Sequence, residues 1–296
     1  FPRMLSPERR MDRTPSLSVL ATAFVLIFLT QPCNGQTVTY DFTYGNFTGM
    51  GTCQLCWCGG DELAEADTAV GTGSTVTFAN TVPSNSAVTN VSYNSHTADT
   101  SSAAVGINYW LNGTNVATQA AWGDPGCVTG TWRAVTGGAG YWNLVGTNTV
   151  VLTSTTGSWF TLSAGSGTSG AVKFSVTVTY TALAAGTAVW QGNVSSNWQT
   201  AGNWSTGAVP IATTPVYIGW RPTMPVLTAN GTCADLTIAA TATLGLGANT
   251  LTVNGNLTNN GTFNGGTGLL QFDGGTAATV SNSGTMNLYD LTINKT

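Results

Sequence analysis

The stretch GTCQLCWCGGDELAEAD places Cys53, Cys56 and Cys58 within six residues and follows them with Asp61, Glu62, Glu65 and Asp67. Sulfur at that density can ligate zinc, run C-x-x-C redox exchange, or staple a loop through disulfides. A redox C-x-x-C opens a helix in a βαβ setting, and no such setting surrounds Cys53. Zinc would take Cys53, Cys56, Cys58 and Cys127 as four thiolates, without the second C-x-x-C knuckle that usually completes such a site.

The cellular compartment weighs on the choice. From Met11 a short basic segment leads into the apolar run Leu17 to Leu29, and Cys33-Asn34-Gly35 offers small residues where a signal peptidase cuts. Residues 11–35 therefore read as a signal peptide cleaved before Gln36, and residues 1–10 as upstream translation. The run is too short to span a membrane, and Pro32 directly before Cys33 argues against a lipid anchor. Secretion makes disulfides the default.

Once Cys33 has left, five cysteines allow at most two bridges and leave one over. A bridge between Cys56 and Cys58 across Trp57 alone is strained, so the cluster is expected to reach outward to Cys127, with Cys233 as the free thiol. Closing a loop of about 70 residues in this way contributes roughly 3 to 4 kcal/mol. Asp61, Glu62, Glu65 and Asp67 lack the D-x-D-x-D-G spacing of a calcium loop. No cofactor is expected, with a structural Ca²⁺ on those four acids as the alternative.

Catalytic groups are sparse. His96 is the single histidine, which excludes a multi-histidine metal site, and no G-x-S-x-G nucleophile accompanies it. It reads as a surface or hairpin residue. Gly165 to Gly170 matches G-x-G-x-x-G but precedes a strand rather than a helix, so a hairpin loop is expected there. Glycosidases use paired carboxylates about 5 to 10 Å apart, and Asp235, Asp273 and Asp290 are the candidates for such a pair or for solvated turn residues. No catalytic residue is assigned.

Tryptophan offers the stronger signal, because sugar-binding surfaces use exposed aromatic faces. Trp122 and Trp132 flank the loop Gly123-Asp124-Pro125-Gly126-Cys127, and Arg133 adjoins them. These three are the expected ligand contacts, with both rings exposed, while Trp110 in VGINYWL reads as core.

The elements that must position these residues are strands. Charged residues make up 7% of the 296, too few for surface helices, while β-branched runs recur between Gly, Asn, Ser and Pro. TVTYDFTY, STVTFAN, AVTNVSY, VGINYWL, TNVATQA, NTVVLTS, SWFTLS and AVKFSVTVTY predict an antiparallel β-sandwich over residues 36–183. Asn112-Gly113 predicts a tight hairpin turn. After a linker at 184–188 the texture changes: LTI, LTVNGNLTNNGTF, LLQF and LTIN predict short stacked coils of a β-solenoid over 189–296, opened by Trp190, Trp198 and Trp204 as a lid. Residues 36–296 carry 4 basic against 10 acidic residues, which excludes nucleic acid and anionic membrane surfaces as partners.

Two resemblances extend these expectations. The pairing of L-N-G at Leu111-Asn112-Gly113 with G-x-N-T at Gly146 to Thr149 resembles the jelly-roll modules of the galactose-binding-like class, which implies carbohydrate contact. The order W-x-G-x-x-S-x-x-W-x-x-x-x-N-W from Trp190, followed by L-T-V-N-G-N-L-T-N-N-G-T-F, resembles the repeat region of large secreted bacterial adhesin-like surface proteins. That resemblance implies a Trp-rich cap opening a right-handed parallel β-helix, on a chain that continues beyond Thr296. The expected protein is thus secreted or at the cell surface and adhesive, its partner a surface glycan or another surface protein. The alternatives are a polysaccharide-degrading β-helix enzyme with its active site on further coils, and a ligand-free stalk or surface-layer component.

Overall fold

The structure, a computed structural model, describes residues 35–43, 46–48, 73–100, 105–122, 131–156, 160–162 and 174–295. The cysteine cluster, Cys127, the four acids at 61–67, the signal segment, Trp159 and the Gly165 to Gly170 stretch lie outside these residues. Among the described residues the named elements are strands apart from short 3-10 turns, and no described helix is long and apolar enough to cross a membrane.

The N-terminal part is a pair of antiparallel sheets. Its strands are β1 (Gln36–Phe42), β2 (Ser74–Ala79), β3 (Ser86–Thr100), β4 (Val105–Leu111), β5 (Thr114–Trp122), β6 (Thr131–Thr136), β7 (Thr147–Ser154), β8 (Phe160–Leu162) and β9 (Phe174–Ala182). One sheet runs β1-β9-β3-β6 with β8 on β3, and the other β2-β7-β4-β5. Successive strands exchanging between a five-stranded and a four-stranded layer in this order, with β8 as an addition on β3, give a jelly roll.

Alternation sets the layers. In β9, Phe174, Val176, Val178 and Tyr180 point inward and Thr177 and Thr179 outward, meeting Tyr93, Ile107, Tyr109, Leu111, Val150 and Leu152 in one core. Each such side chain contributes about 1.5 to 3 kcal/mol through burial. Across the outer faces threonines pair, Thr39 with Thr177 at 3.0 Å and Thr77 with Thr149 at 2.9 Å. The expected turn at Asn112-Gly113 joins β4 to β5, both residues at positive φ (49° and 86°).

Residues 184–188 form a tied turn: Asn85 Nδ2 donates to Leu183 O at 2.8 Å and Thr187 Oγ1 to Ala184 O at 2.8 Å. Beyond it a parallel β-solenoid of about four turns has three sheet faces. The first face stacks β10 (Ala188–Val189), β11 (Val216–Ile218), β13 (Leu236–Ile238), β16 (Leu257–Asn259) and β19 (Val280–Asn282). The second stacks β12 (Gly231–Cys233), β15 (Thr250–Val253), β18 (Leu269–Gly274) and β21 (Asp290–Lys295), and the third β14 (Thr243–Gly245), β17 (Thr262–Asn264) and β20 (Thr285–Asn287).

Each coil adds one inward residue to a column. Leu236 lies over Leu257, Leu244 over Phe263, and Leu251 over Leu270 in register. Turns repeat with the stack, so that Asp235 Oδ1 accepts from Asn256 N and Asn256 Oδ1 from Thr279 N, 21 and 23 residues on. At one corner the coils approach so closely that only glycine fits: a Cβ on Gly261 would sit 2.3 Å from Ala242 O. The inward row meets solvent at β19 and β21, where Val280, Leu291 and Ile293 are exposed.

Candidate functional site

β6 is the jelly-roll strand that the sequence pattern did not reveal, and it places two of the expected contact residues. It pairs with β3 so that Trp132 faces His96 and Arg133 faces Ser95. Adjacent residues of a strand point to opposite faces, so Trp132 and Arg133 part. Ser95 lies in the core beside Tyr109, its Oγ 2.7 Å from the Tyr109 hydroxyl, which in turn donates to Gln119 Oε1 at 3.1 Å. Arg133 shares that inner side, and its guanidinium lies 4.9 Å over the ring of Trp122.

Trp122 is 8% exposed, a correction to the expectation that its ring stands open. It ends β5 on the inner side of its sheet, under Arg133, and belongs to the sandwich core. Trp132 is 46% exposed on the outer face, with its ring 5.0 Å from His96. His96 itself is buried in mid-strand rather than at a surface or hairpin position, because β3 runs on through Thr100. Trp110, expected in the core, is half-buried on the outer face of β4, where its Nε1 donates to Thr153 Oγ1 at 3.0 Å. Its neighbours Tyr109 and Leu111 take the inward positions.

The L-N-G and G-x-N-T motifs meet directly. Asn112 Nδ2 donates to Asn148 Oδ1 (2.9 Å) and to Tyr141 O (2.7 Å), while Asn112 Oδ1 accepts from Thr149 N (2.9 Å). Asn148 Oδ1 also accepts from Asn143 N. These amides clasp the hairpin to β7 and are spent on protein.

At the head of the solenoid, Trp190, Trp198 and Trp204 are buried, with ring centroids 5.0 Å (Trp190 to Trp204) and 4.7 Å (Trp198 to Trp204) apart, both edge to face. Trp190 Nε1 donates to Thr223 O and Trp204 Nε1 to Trp198 O, each at 2.8 Å. Asn203, fully buried, accepts from Val194 N and Ser195 N and donates to Asn197 O, which folds the cap loop over the rings.

The solenoid carboxylates serve turns. Asp235 accepts from Asn256 N, Asp273 from Gly274 N, and Asp290 from Leu291 N. No three His, Cys, Asp or Glu side chains gather among the described residues. Cys233 is a free thiol buried in the solenoid column, and burial, reinforced by the nearby charge of Asp235, pushes its pKa well above the usual thiol range.

The jelly roll and the cap meet through Arg221 and Gln191. Arg221 Nη1 donates to Trp142 O at 2.6 Å and to Gly140 O at 3.2 Å, and Gln191 Oε1 accepts from Leu144 N at 3.0 Å. Nothing in the sequence singled out Arg221; its one signal is that a basic residue is rare in this chain.

The fold thus defines an all-β protein that sets a jelly roll on the capped end of a parallel β-solenoid. Residues 189–292 are similar to a domain of unknown function, DUF8693. No curated protein matches the chain. Among solved structures, the catalytic domain of Agl-KA aligns with 70% of this chain at 11% identity and a TM-score of 0.18. The chain spans 41% of that structure, and a likeness at that TM-score bears on neither fold nor function.

Proposed function

We propose that this is a secreted or cell-surface adhesin-like protein whose jelly roll contacts carbohydrate and whose solenoid is the stalk that carries it. The observation behind this reading is Trp132, a large ring 46% exposed on an outer sheet face and steadied by His96 beneath a cross-strand contact. A flat aromatic held open at an entropic cost to water is suited to packing against the apolar face of a pyranose ring. The hydrogen bonds of Arg221 and Gln191 add mechanical sense, since a jelly roll fixed to the cap turns with its stalk. The resemblance of the Trp190 to Lys295 region to adhesin-like repeats points the same way.

A glycan array probed with the full chain tests the proposal. Capture of a neutral or acidic glycan is expected, weakened about tenfold by Trp132→Ala, the equivalent of about 1.4 kcal/mol. An array on which the folded chain captures nothing, or capture indifferent to Trp132→Ala, rejects it.

A further inference from the structure

The proposed sheet surface makes no use of the most unusual charge in the molecule. Arg221 is 6% exposed, yet it makes no ion pair among the described residues. Its Nε donates to Trp190 O at 3.3 Å and its Nη1 to the carbonyls of Trp142 and Gly140. The N–H groups of Nη2 find no hydrogen-bond acceptor among the described residues. Tyr217 is the one titratable group that acts on the guanidinium, and burial lowers the Arg221 pKa to about 10. A buried cation without an anion is costly, and proteins rarely retain one without a use.

Arg221 lines a cleft between the jelly roll and the first coils. The cleft has a volume of about 320 Å³ and is walled by Thr89, Gly140, Tyr217, Trp220 and Thr241. That volume is at the lower end of the range for small-molecule sites. Trp220 is 42% exposed and stands edge to face with Tyr141 at 5.6 Å, so part of its ring is open to an occupant. Thr241 holds a φ of 67°, a left-handed conformation that a β-branched residue rarely adopts and that tends to occur at ligand-contact positions.

We propose that this cleft binds the carboxylate of an acidic saccharide, a uronic-acid unit, with the unspent Nη2 donors of Arg221 on the carboxylate and Trp220 against the sugar ring. The guanidinium fork matches a carboxylate in shape and donor number, and a ligand anion would supply the charge that no described side chain provides. The carboxylate part stands on Arg221 alone; the saccharide part extends the carbohydrate reading to a second site.

The test is calorimetric titration of the full chain with D-glucuronate, D-glucose and acetate. Glucuronate is expected to bind with a Kd near or below about 1 mM, at least about tenfold more tightly than glucose or acetate. Arg221→Gln should remove that preference about tenfold or more. Because Arg221 also joins the jelly roll to the cap, Trp220→Ala serves as the second variant, its side chain being 42% exposed, and should weaken glucuronate about tenfold while acetate stays weak. No binding by the wild-type chain, or equal binding of glucose and glucuronate, overturns the proposal. Equal binding of acetate and glucuronate overturns the saccharide assignment. Because the cleft would also catch acidic glycans on an array, the variants separate the two sites: Trp132→Ala should leave glucuronate titration unchanged and Arg221→Gln should leave capture of neutral glycans unchanged, so the two readings fail separately.

Discussion

The guanidinium of Arg221, in the loop after β11, donates to the main-chain carbonyl of Trp142 at 2.6 Å, joining the solenoid to the jelly roll through one short charge-assisted bond. Trp142 is itself fixed, fully buried, with its Nε1 on Asn80 Oδ1 at 3.0 Å. The join therefore runs from one core to the other without a flexible intermediary.

Gly140 reports on that join. A Cβ there would lie 2.3 Å from Trp220 Cε3 and 2.8 Å from the Trp220 carbonyl oxygen. Gly140→Ala is expected to cost about 1 to 3 kcal/mol, as overpacking does, read as a lower denaturant midpoint. Adding Trp220→Ala should recover the part due to the ring and leave the part due to the carbonyl. A Gly140→Ala chain as stable as the wild type would reject the close approach.

Asn203 holds the cap loop with both ends of its amide. Asn203→Ala removes the buried amide that holds the N–H groups of Val194 and Ser195 and should destabilise the chain by about 1 to 3 kcal/mol. Hydrogen exchange gives the sharper readout: the amides of Val194 and Ser195 should lose protection before those of Leu251 or Leu270 in the coils beyond.

Cys233 should be silent in the native protein. With its thiol buried and its pKa raised, a thiol reagent at pH 8 should label it only after denaturation. Cys233→Ser puts a hydroxyl into an apolar column and should cost about 1 to 3 kcal/mol, more than Cys233→Ala. Rapid native labelling at Cys233 would contradict the packing.

Alkaline pH should unfold the jelly roll through its tyrosines. Burial raises Tyr109 to about 12, against partial relief from Ser95 and Arg133, and raises Tyr93 further. Below the unfolded tyrosine pKa near 10 both states are protonated and the stability is fully present. Above it the unfolded chain releases protons that the folded chain still holds, so stability falls with pH through the folded values. Arg221 acts oppositely, since its lowered pKa of about 10 means the folded state gives up a proton that the unfolded state keeps. Burial raises Tyr217 in β11 as well, so with three tyrosines against one arginine the midpoint of a denaturant melt should drop between pH 10 and 12, and the drop should shrink in Tyr93→Phe/Tyr109→Phe.

Much of the fold was legible, and the reason is periodicity. Strands such as β4 and β9 alternate without interruption, and Asn112-Gly113 carries the turn chemistry that a hairpin needs. β6 escaped because TWRAVT carries a charge at mid-strand, and its inward arginine makes sense only once the ring of Trp122 is known to lie beneath it. The same omission left Trp122 and Trp132 looking like a pair around one loop, whereas the pleat sends Trp132 and Arg133 to opposite faces. Asn112 and Asn148 illustrate the converse: the part the L-N-G and G-x-N-T pairing plays within the fold, a clasp between strands, is visible only once the two segments are side by side.

By itself, then, the sequence determined the strand-rich class, the two-part order of sandwich and solenoid, and the burial of the tryptophans that open the coils, because these depend on local alternation, turn residues and the size of a ring. Tertiary structure alone decided which tryptophan stays open, that the solenoid aspartates are spent on turns, and that Arg221 sits buried between two cores without a carboxylate among the described residues. Those outcomes depend on strand register and on contacts between residues about 80 positions apart, such as Arg221 and Trp142. No local pattern encodes them, since loop closure over such distances is settled by the packing of whole sheets rather than by neighbours in the chain.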